Sequence, residues 1–317
     1  MAKLNEFNIG DTAVFYAMVD ALQKRFTPNK AGYYSVTLSD DTATVDARCW
    51  DCELIEKNGI KSGEVYGFEC HINSFNNKPQ FIIKKIVVPQ PGEIDVSKFV
   101  KTAPLSKEML MTGIAEYAKT IDNQVLYNLV IKLLKETKAK FFEYPAAMSM
   151  HHNYLYGLAY HTYSMLRLAD RLLELYPGMN RNLLIAGTIL HDIGKTKELS
   201  ASRAPIYTDE GNLLGHIVIG IEMVSVAASE EGTLDTEEVK SLLHLIASHH
   251  GELEFGSPKE PGMMEAYALH LIDLTDSKMA AITPEVVKTK KGTYTAPITS
   301  LNRKTLYVPD IDTYNKE

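Results

Sequence analysis

Cysteine is scarce in this chain. Cys49, Cys52 and Cys70 are its whole complement, too few for a disulfide-stapled scaffold and suited to a reducing compartment. Cys49 and Cys52 form a CxxC, but no second CxxC or close histidine cluster completes a zinc site. The alternation from Thr44 to Trp50 instead makes Cys49 a buried strand residue. Positive charge is also short: Lys and Arg number 33 against 40 Asp and Glu, a net charge of -7. A nucleic-acid partner would therefore need a local surface rather than the bulk field of the protein. Residues Met1 to Glu6 lack the basic start and apolar core of a signal peptide, and no apolar run approaches the ~20 residues of a membrane span. The chain is expected to be cytoplasmic, with no membrane partner.

What is present fills two domains. A length of 317 residues exceeds what one core usually organises, and 45% hydrophobic residues suffice to bury two. Up to Pro89 the periodicity is that of strands: Val14 to Val19, then Tyr34, Val36 and Leu38, then Val45, Ala47 and Cys49 after the turn cluster Ser39 to Thr42. Val65 to Asn73 and Gln80 to Val88 follow, joined across Asn76-Asn77-Lys78, with a short helix expected at Asp51 to Lys57. Five strands with one helical interruption predict a small all-β barrel over residues 1–90. That count and order resemble an oligonucleotide-binding (OB) fold. Its candidate nucleic-acid contacts are Tyr33, Tyr34 and Trp50, with Phe26, for stacking, and Lys24, Arg25, Arg48 and Lys78, with Lys30, for phosphates. Ten basic against eleven acidic residues in 1–90 make it no basic domain.

Pro89-Gln90-Pro91-Gly92 ends the strands, and residues 91–104 read as a linker. Residues 105–282 are predicted to form an all-α bundle. Leu126, Leu129, Val130, Leu133 and Leu134 make one apolar stripe, helices are expected from about Leu155 to Leu175 and Asn182 to Ile193, and Thr236 caps another that ends at Gly251. Residues 283–317 read as an irregular or short-stranded extension. Its Lys288, Lys290, Lys291, Arg303 and Lys304, interleaved with Tyr294 and Tyr307, suit either an RNA path or a plain solvated surface.

Nine of the ten histidines lie between His151 and His270. Candidate ligands appear in the order His161, His191-Asp192, His216, His249-His250 and Asp273, each group on or beside a separate predicted helix. Imidazole with carboxylate favours a catalytic transition metal, and two ions ~3.5–4 Å apart need about six or seven ligands with a bridging carboxylate. Asp192 is the natural bridge, since its two oxygens can face different ions. Lys195 then offers a positive charge to a substrate phosphate. His244 and His270 read as core-edge or surface residues.

That ligand order resembles the HD phosphohydrolase superfamily over about residues 145–280. The resemblance implies that His161, His191, Asp192, His216, His249, His250 and Asp273 hold two divalent ions, manganese foremost with iron, cobalt or magnesium as alternatives. A barrel followed by such a bundle is similar to the YhaM-type 3'→5' exoribonucleases. So are the local runs Phe141 to Ala147, His151-His152, Gly157 to His161 and Leu190 to Lys195, although the chain departs from that pattern at Tyr156-Gly157 and Tyr160. The likeness implies trimming of single-stranded RNA to 5'-mononucleotides, with Asp192 and Lys195 at the chemistry, His152 either touching the phosphate or structural with His151, and Asp276 either orienting a ligand, binding the terminal sugar or standing as a plain helix-surface carboxylate. It leaves open single-stranded DNA as substrate and a homo-oligomer. Two other readings stay in play: an HD phosphodiesterase acting on a nucleotide or cyclic dinucleotide, and a non-enzymatic OB-fold binding factor.

Overall fold

The computed structural model describes residues 2–75, 78–90, 92–99, 102–147, 154–201 and 205–311. The chain divides into two compact units, Met1–Thr102 with Ala201–Ile206, and Ala103–Ser200 with Tyr207–Glu317.

In the first unit, β1 (Thr12–Phe26), β2 (Gly32–Ser39), β3 (Thr44–Cys49), α1 (Cys52–Lys57), β4 (Val65–Phe75) and β5 (Lys78–Val87) follow in sequence. The strands close into a barrel in the order β1-β2-β3-β5-β4, with β4 back against β1. Only β3 and β5 pair in parallel. This is the OB architecture expected from the strand pattern. Alternate residues make the core: Phe15, Ala17 and Val19 of β1, Val36 and Leu38 of β2, Phe68, Cys70 and Ile72 of β4, and Phe81 and Ile83 of β5 are all buried. Alanine and cysteine between phenylalanines fit the narrow interior of a small barrel.

β1 is more than twice as long as the six-residue run that predicts it. A register shift between Val19 and Ala21 bends it, so that Thr12–Met18 pairs with β4 and Met18–Phe26 with β2. Its second half escapes a hydrophobicity reading because Gln23, Lys24, Arg25 and Phe26 are exposed. Cys49 is fully buried, and burial pushes its thiol up to about 11, as befits a strand core residue rather than a redox centre.

The second unit contains α2 (Lys107–Ala118), α3 (Gln124–Phe141), α4 (Gly157–Leu175), α5 (Arg181–Leu190), α6 (Lys195–Glu198), α7 (Asp209–Glu230), α8 (Glu237–Ser248) and α9 (Met264–Val287). The short strands β6 (Thr293–Tyr294) and β7 (Tyr307–Val308) come last. Side chains of Ser106, Asn123, Asn180, Thr208 and Thr236 accept a first-turn backbone N–H and so fix where five helices begin. The amphipathic stripe foreseen for α5 is absent, because every residue from Leu183 to Leu190 is buried. The helix is central, packed by α3, α4, α8 and α9.

One expectation is corrected here. α7 is 22 residues long and apolar enough by length and composition to cross a membrane, although the sequence reading saw no such run. It packs against α3, α6 and α8 and is broken at Gly215, whose φ of 71° and ψ of 160° are non-helical. α9 also continues past the predicted end of the bundle, taking Pro284 into its last turn, where the missing N–H costs one backbone bond.

Candidate metal centre and nucleic-acid face

Five helix ends and faces converge in the second unit. His161 lies in the second turn of α4, and His191 and His249 are the C-terminal caps of α5 and α8. Asp192 and His250 follow those caps directly, His216 is the first residue after the break in α7, and Asp273 sits midway along α9. The side chains gather into two groups, His161 with His191 and Asp273, and His216 with His249 and His250. Within each group the ligand atoms lie within 4.8 Å of one another.

Asp192 stands between the two groups. Its Oδ2 is 3.3 Å from His191 Nε2 and 3.8 Å from His161 Nε2. Its Oδ1 is 3.4 Å from His216 Nε2 and 3.8 Å from His249 Nε2. Asp192 Oδ1 and His216 Nε2 are buried and have no hydrogen-bond partner, a costly arrangement for polar atoms that a cation would satisfy.

The outer nitrogens explain which ring atoms face inward. Nδ1 of His191, His249 and His250 rests against the carbonyls of Thr188, Ile246 and Phe255 at 2.9, 2.7 and 2.8 Å. A carbonyl only accepts, so each Nδ1 donates outward and each Nε2 is left facing the cluster. Carboxylates do the same for the other two rings: Asp276 for His161 at 2.7 Å, and Glu198 for His216 at 3.2 Å. Outward partners of this kind are what metal-binding imidazoles require.

The electrostatics agree. Burial works against ionising Asp192, but Lys195 at 2.6 Å and the surrounding histidines outweigh it and hold its carboxyl well below the usual range. Burial likewise opposes charge on His161, yet Asp273 and Asp276 carry its pKa up to about 9. His161 therefore holds a proton near neutral pH, with its Nε2 3.3 Å from an oxygen of Asp273. Burial keeps His249 neutral, its pKa far below the ordinary value. The donor set of imidazole nitrogens and carboxylate oxygens suits divalent transition metals.

All seven predicted ligand positions therefore come together, and Lys195 joins them. His152 lies outside the described residues. His244 accepts from the Gly262 N–H at 2.9 Å, and His270 contacts the His249 carbonyl at 3.1 Å, so each has a backbone partner and neither belongs to the two groups. The sequence reading missed Glu198, which receives both the backbone N–H and Nδ1 of His216 on one oxygen. Two glycines make this possible. Gly215 breaks α7 and frees the His216 N–H, and a Cβ on Gly194 would lie 2.0 Å from the His216 carbonyl oxygen. Its only sequence mark, a carboxylate three residues after Lys195, carries no pattern of its own.

On the barrel, the predicted contacts divide. Tyr33, Arg48 and Trp50 form one group, with Tyr33 and Trp50 rings 4.9 Å apart and the Arg48 guanidinium 5.0 Å from the Tyr33 ring, but Tyr33 is buried and so corrects its expected stacking role, which falls to the exposed Trp50. Arg25 lies across from Tyr33 in the β1–β2 register. Phe75, which the sequence reading overlooked, places its exposed ring 5.6 Å from the same guanidinium. Lys24 and Tyr34 point elsewhere, both bonded to Glu56 of α1 at 2.7 and 3.2 Å. Lys78 begins β5, and its side chain lies outside the described residues.

A model of the HD domain family matches residues 158–281. The chain is 38% identical over 311 residues to the 3'-5' exoribonuclease YhaM of Geobacillus sp. (strain WCH70), covering 98% of this chain and 96% of that one. It is 36% identical over 302 residues to the 3'-5' exoribonuclease YhaM of Bacillus subtilis (strain 168), covering 95% and 96%. Among solved structures, the second OB-fold domain of replication protein A from Methanococcus maripaludis matches at 15% identity and a TM-score of 0.24, covering 28% of this chain and 95% of that one, a likeness too weak to weigh. Shared over nearly the whole length, with barrel and histidine-aspartate cluster both in place, this likeness shows that the chain belongs to the YhaM family of 3'-5' exoribonucleases within the HD superfamily.

Proposed function

We propose that the protein hydrolyses single-stranded RNA from its 3' end, releasing 5'-mononucleotides, with two divalent ions of which manganese is the foremost candidate. The observation that carries the reading is Asp192, whose two oxygens turn toward separate groups of imidazoles. One ion would be held by His161, His191, Asp273 and Asp192 Oδ2, the other by His216, His249, His250 and Asp192 Oδ1. Ions in such a site lower the pKa of a water and neutralise phosphate charge.

The chain's own groups do the rest. Lys195, buried beside Asp192 and kept protonated by it despite desolvation, presents positive charge to a nonbridging phosphate oxygen. We assign His152 to the same phosphate. The water oxygen bonds to the terminal phosphorus as the bond to the penultimate 3'-oxygen breaks. The water proton ends on that oxygen as the 3'-hydroxyl of the shortened chain. Trp50 and Phe75, both exposed, stack bases and Arg48 draws phosphates, so the barrel retains the RNA between cuts. We place this activity in the cytoplasm.

Incubation of 5'-labelled single-stranded RNA with the protein and manganese tests the reading. A ladder shortening from the 3' end is expected, steeper on long RNA than for a Trp50→Ala variant. Internal fragments, or turnover only of small or cyclic nucleotides, would overturn it. Parallel lanes with iron, cobalt, magnesium and single-stranded DNA define metal and sugar preference.

Glu198 supplies a sharper test of the ligand assignment. Replacing it with alanine removes what orients His216 and leaves the His161 group untouched. Titration calorimetry should show one ion bound as in the parent and the other weakened about 10- to 100-fold. Equal weakening of both would count against two separate half-sites.

A further inference from the structure

Between Val286 and Pro309 the chain has five basic residues and no acidic one, in a protein of net charge -7. Lys288, Lys290, Lys291, Arg303 and Lys304 are all exposed. Lys288 pairs with Glu285 at 2.6 Å, whereas Lys290, Arg303 and Lys304 have no ion-pair partner among the described residues.

These cations flank an aromatic pair. Tyr294 of β6 lies opposite Tyr307 of β7, with ring centroids 5.3 Å apart and 66% and 52% of each residue exposed. Lys290 precedes Tyr294 by four residues and Lys304 precedes Tyr307 by three, so each lies within about 14 Å of chain from its ring.

The hairpin is held in place. Thr295, Ile298 and Val308 are buried beneath it, and the Gly292, Thr295 and Ile298 N–H groups donate to Val308, Leu306 and Lys304 carbonyls at 2.8 to 2.9 Å. Lys278 Nζ donates to the Ser300 carbonyl at 2.6 Å, tying the loop to α9 five residues, about 7.5 Å of helix rise, after Asp273. At the tip, Asn302 and Arg303 both adopt left-handed backbone, with φ of 53° and 60°.

We propose that this hairpin is a second single-strand RNA contact, carried by the helical unit itself and separate from the barrel face. It rests on the exoribonuclease reading for the identity of the ligand. Exposed tyrosine faces stack bases of any sequence, and the three unpaired cations take the phosphates between them. A lipid surface would call for apolar insertion, but apart from the tyrosines the hairpin exposes only the small or cyclic apolar residues Ala296, Pro297 and Pro309 beside threonine, asparagine and cations.

Fluorescence anisotropy with single-stranded RNA ended by a nuclease-resistant phosphorothioate linkage, in manganese, reads the contact. Tyr294→Ala/Tyr307→Ala should bind about 10-fold more weakly, while the double phenylalanine variant binds as the parent does. Lys290→Ala/Arg303→Ala/Lys304→Ala should reduce the slope of log affinity against log salt by about 2. Turnover of a dinucleotide should stay unchanged in both. Parent-like affinity and slope in both alanine variants, or equal losses on the dinucleotide, would overturn the hairpin site while parental RNA shortening leaves the exoribonuclease reading standing. Cation removal that affects only binding to anionic vesicles overturns it in favour of a membrane contact. A parent protein that binds no RNA sinks both.

Discussion

Asp192→Asn is expected to lower RNA shortening by on the order of 10⁴-fold or more, with both ions lost together. An amide offers one neutral oxygen where the carboxylate turns Oδ1 toward His216 and His249 and Oδ2 toward His191 and His161. No other acidic side chain reaches both groups among the described residues. The change also strips Lys195 of its buried carboxylate partner at 2.6 Å, and breaking such a pair costs about 3 kcal/mol. Metal content by atomic spectroscopy and a melting curve separate the two effects. A folded Asp192→Asn protein that keeps two ions would show that Asp192 is not the bridge. One that loses them yet still trims RNA would remove the metal centre from the mechanism.

Gly194→Ala carries the largest expected effect on stability. The added Cβ would sit 2.0 Å from the His216 carbonyl oxygen and 2.8 Å from the Gly220 nitrogen. Both are backbone atoms that no rotamer change can move. Relief requires α6 and α7 to part, at about 3 kcal/mol. The same movement carries His216 away from Glu198 and Asp192, so metal binding should weaken along with the melting temperature. A Gly194→Ala protein with parental melting and two ions would mean that the two helices slide apart freely. Gly220→Ala is the natural comparison, because its nearest neighbour is 3.5 Å away, a side-chain carbon of Ile246.

Most of the candidate ligands were legible because they lie where a helix starts, stops or breaks, and those places have sequence marks; Asp273, midway along α9, was legible only through its place in the ligand order. Thr236 and Gly251 bracket α8 and so locate His249 and His250. The barrel was legible through its alternation, and even Cys49 could be assigned to the core against the pull of its CxxC. Glu198 was not legible, because a four-residue helix has no periodicity, and its partner reaches it only through the break at Gly215. Lys24 and Tyr34 looked like binding residues because alternation says which side of a strand a residue takes but not what covers that side. Here Glu56 does. Phe75 was passed over because one aromatic at a strand end carries no pattern, and its value comes from Arg48 two strands away in the sheet order. The membrane-length α7 escaped notice because its apolar stretch is punctuated by Gly215, His216 and Glu222.

The outward hydrogen bonds of the five imidazoles bear on the entropy of ion capture. Each ring is locked in tautomer and angle by a partner already present in the fold: three carbonyls at the ends of helices or turns, and two buried carboxylates. The ordering of the donors is therefore charged to folding and not to binding, so an arriving ion gives up little free energy to arrange them. A ring fixed at its far nitrogen also cannot swing outward to accommodate a larger ion. Such a centre is expected to sort cations by radius and by how readily they shed water, so that the choice among metals would pass from the flexibility of the ligands to the properties of the ions themselves.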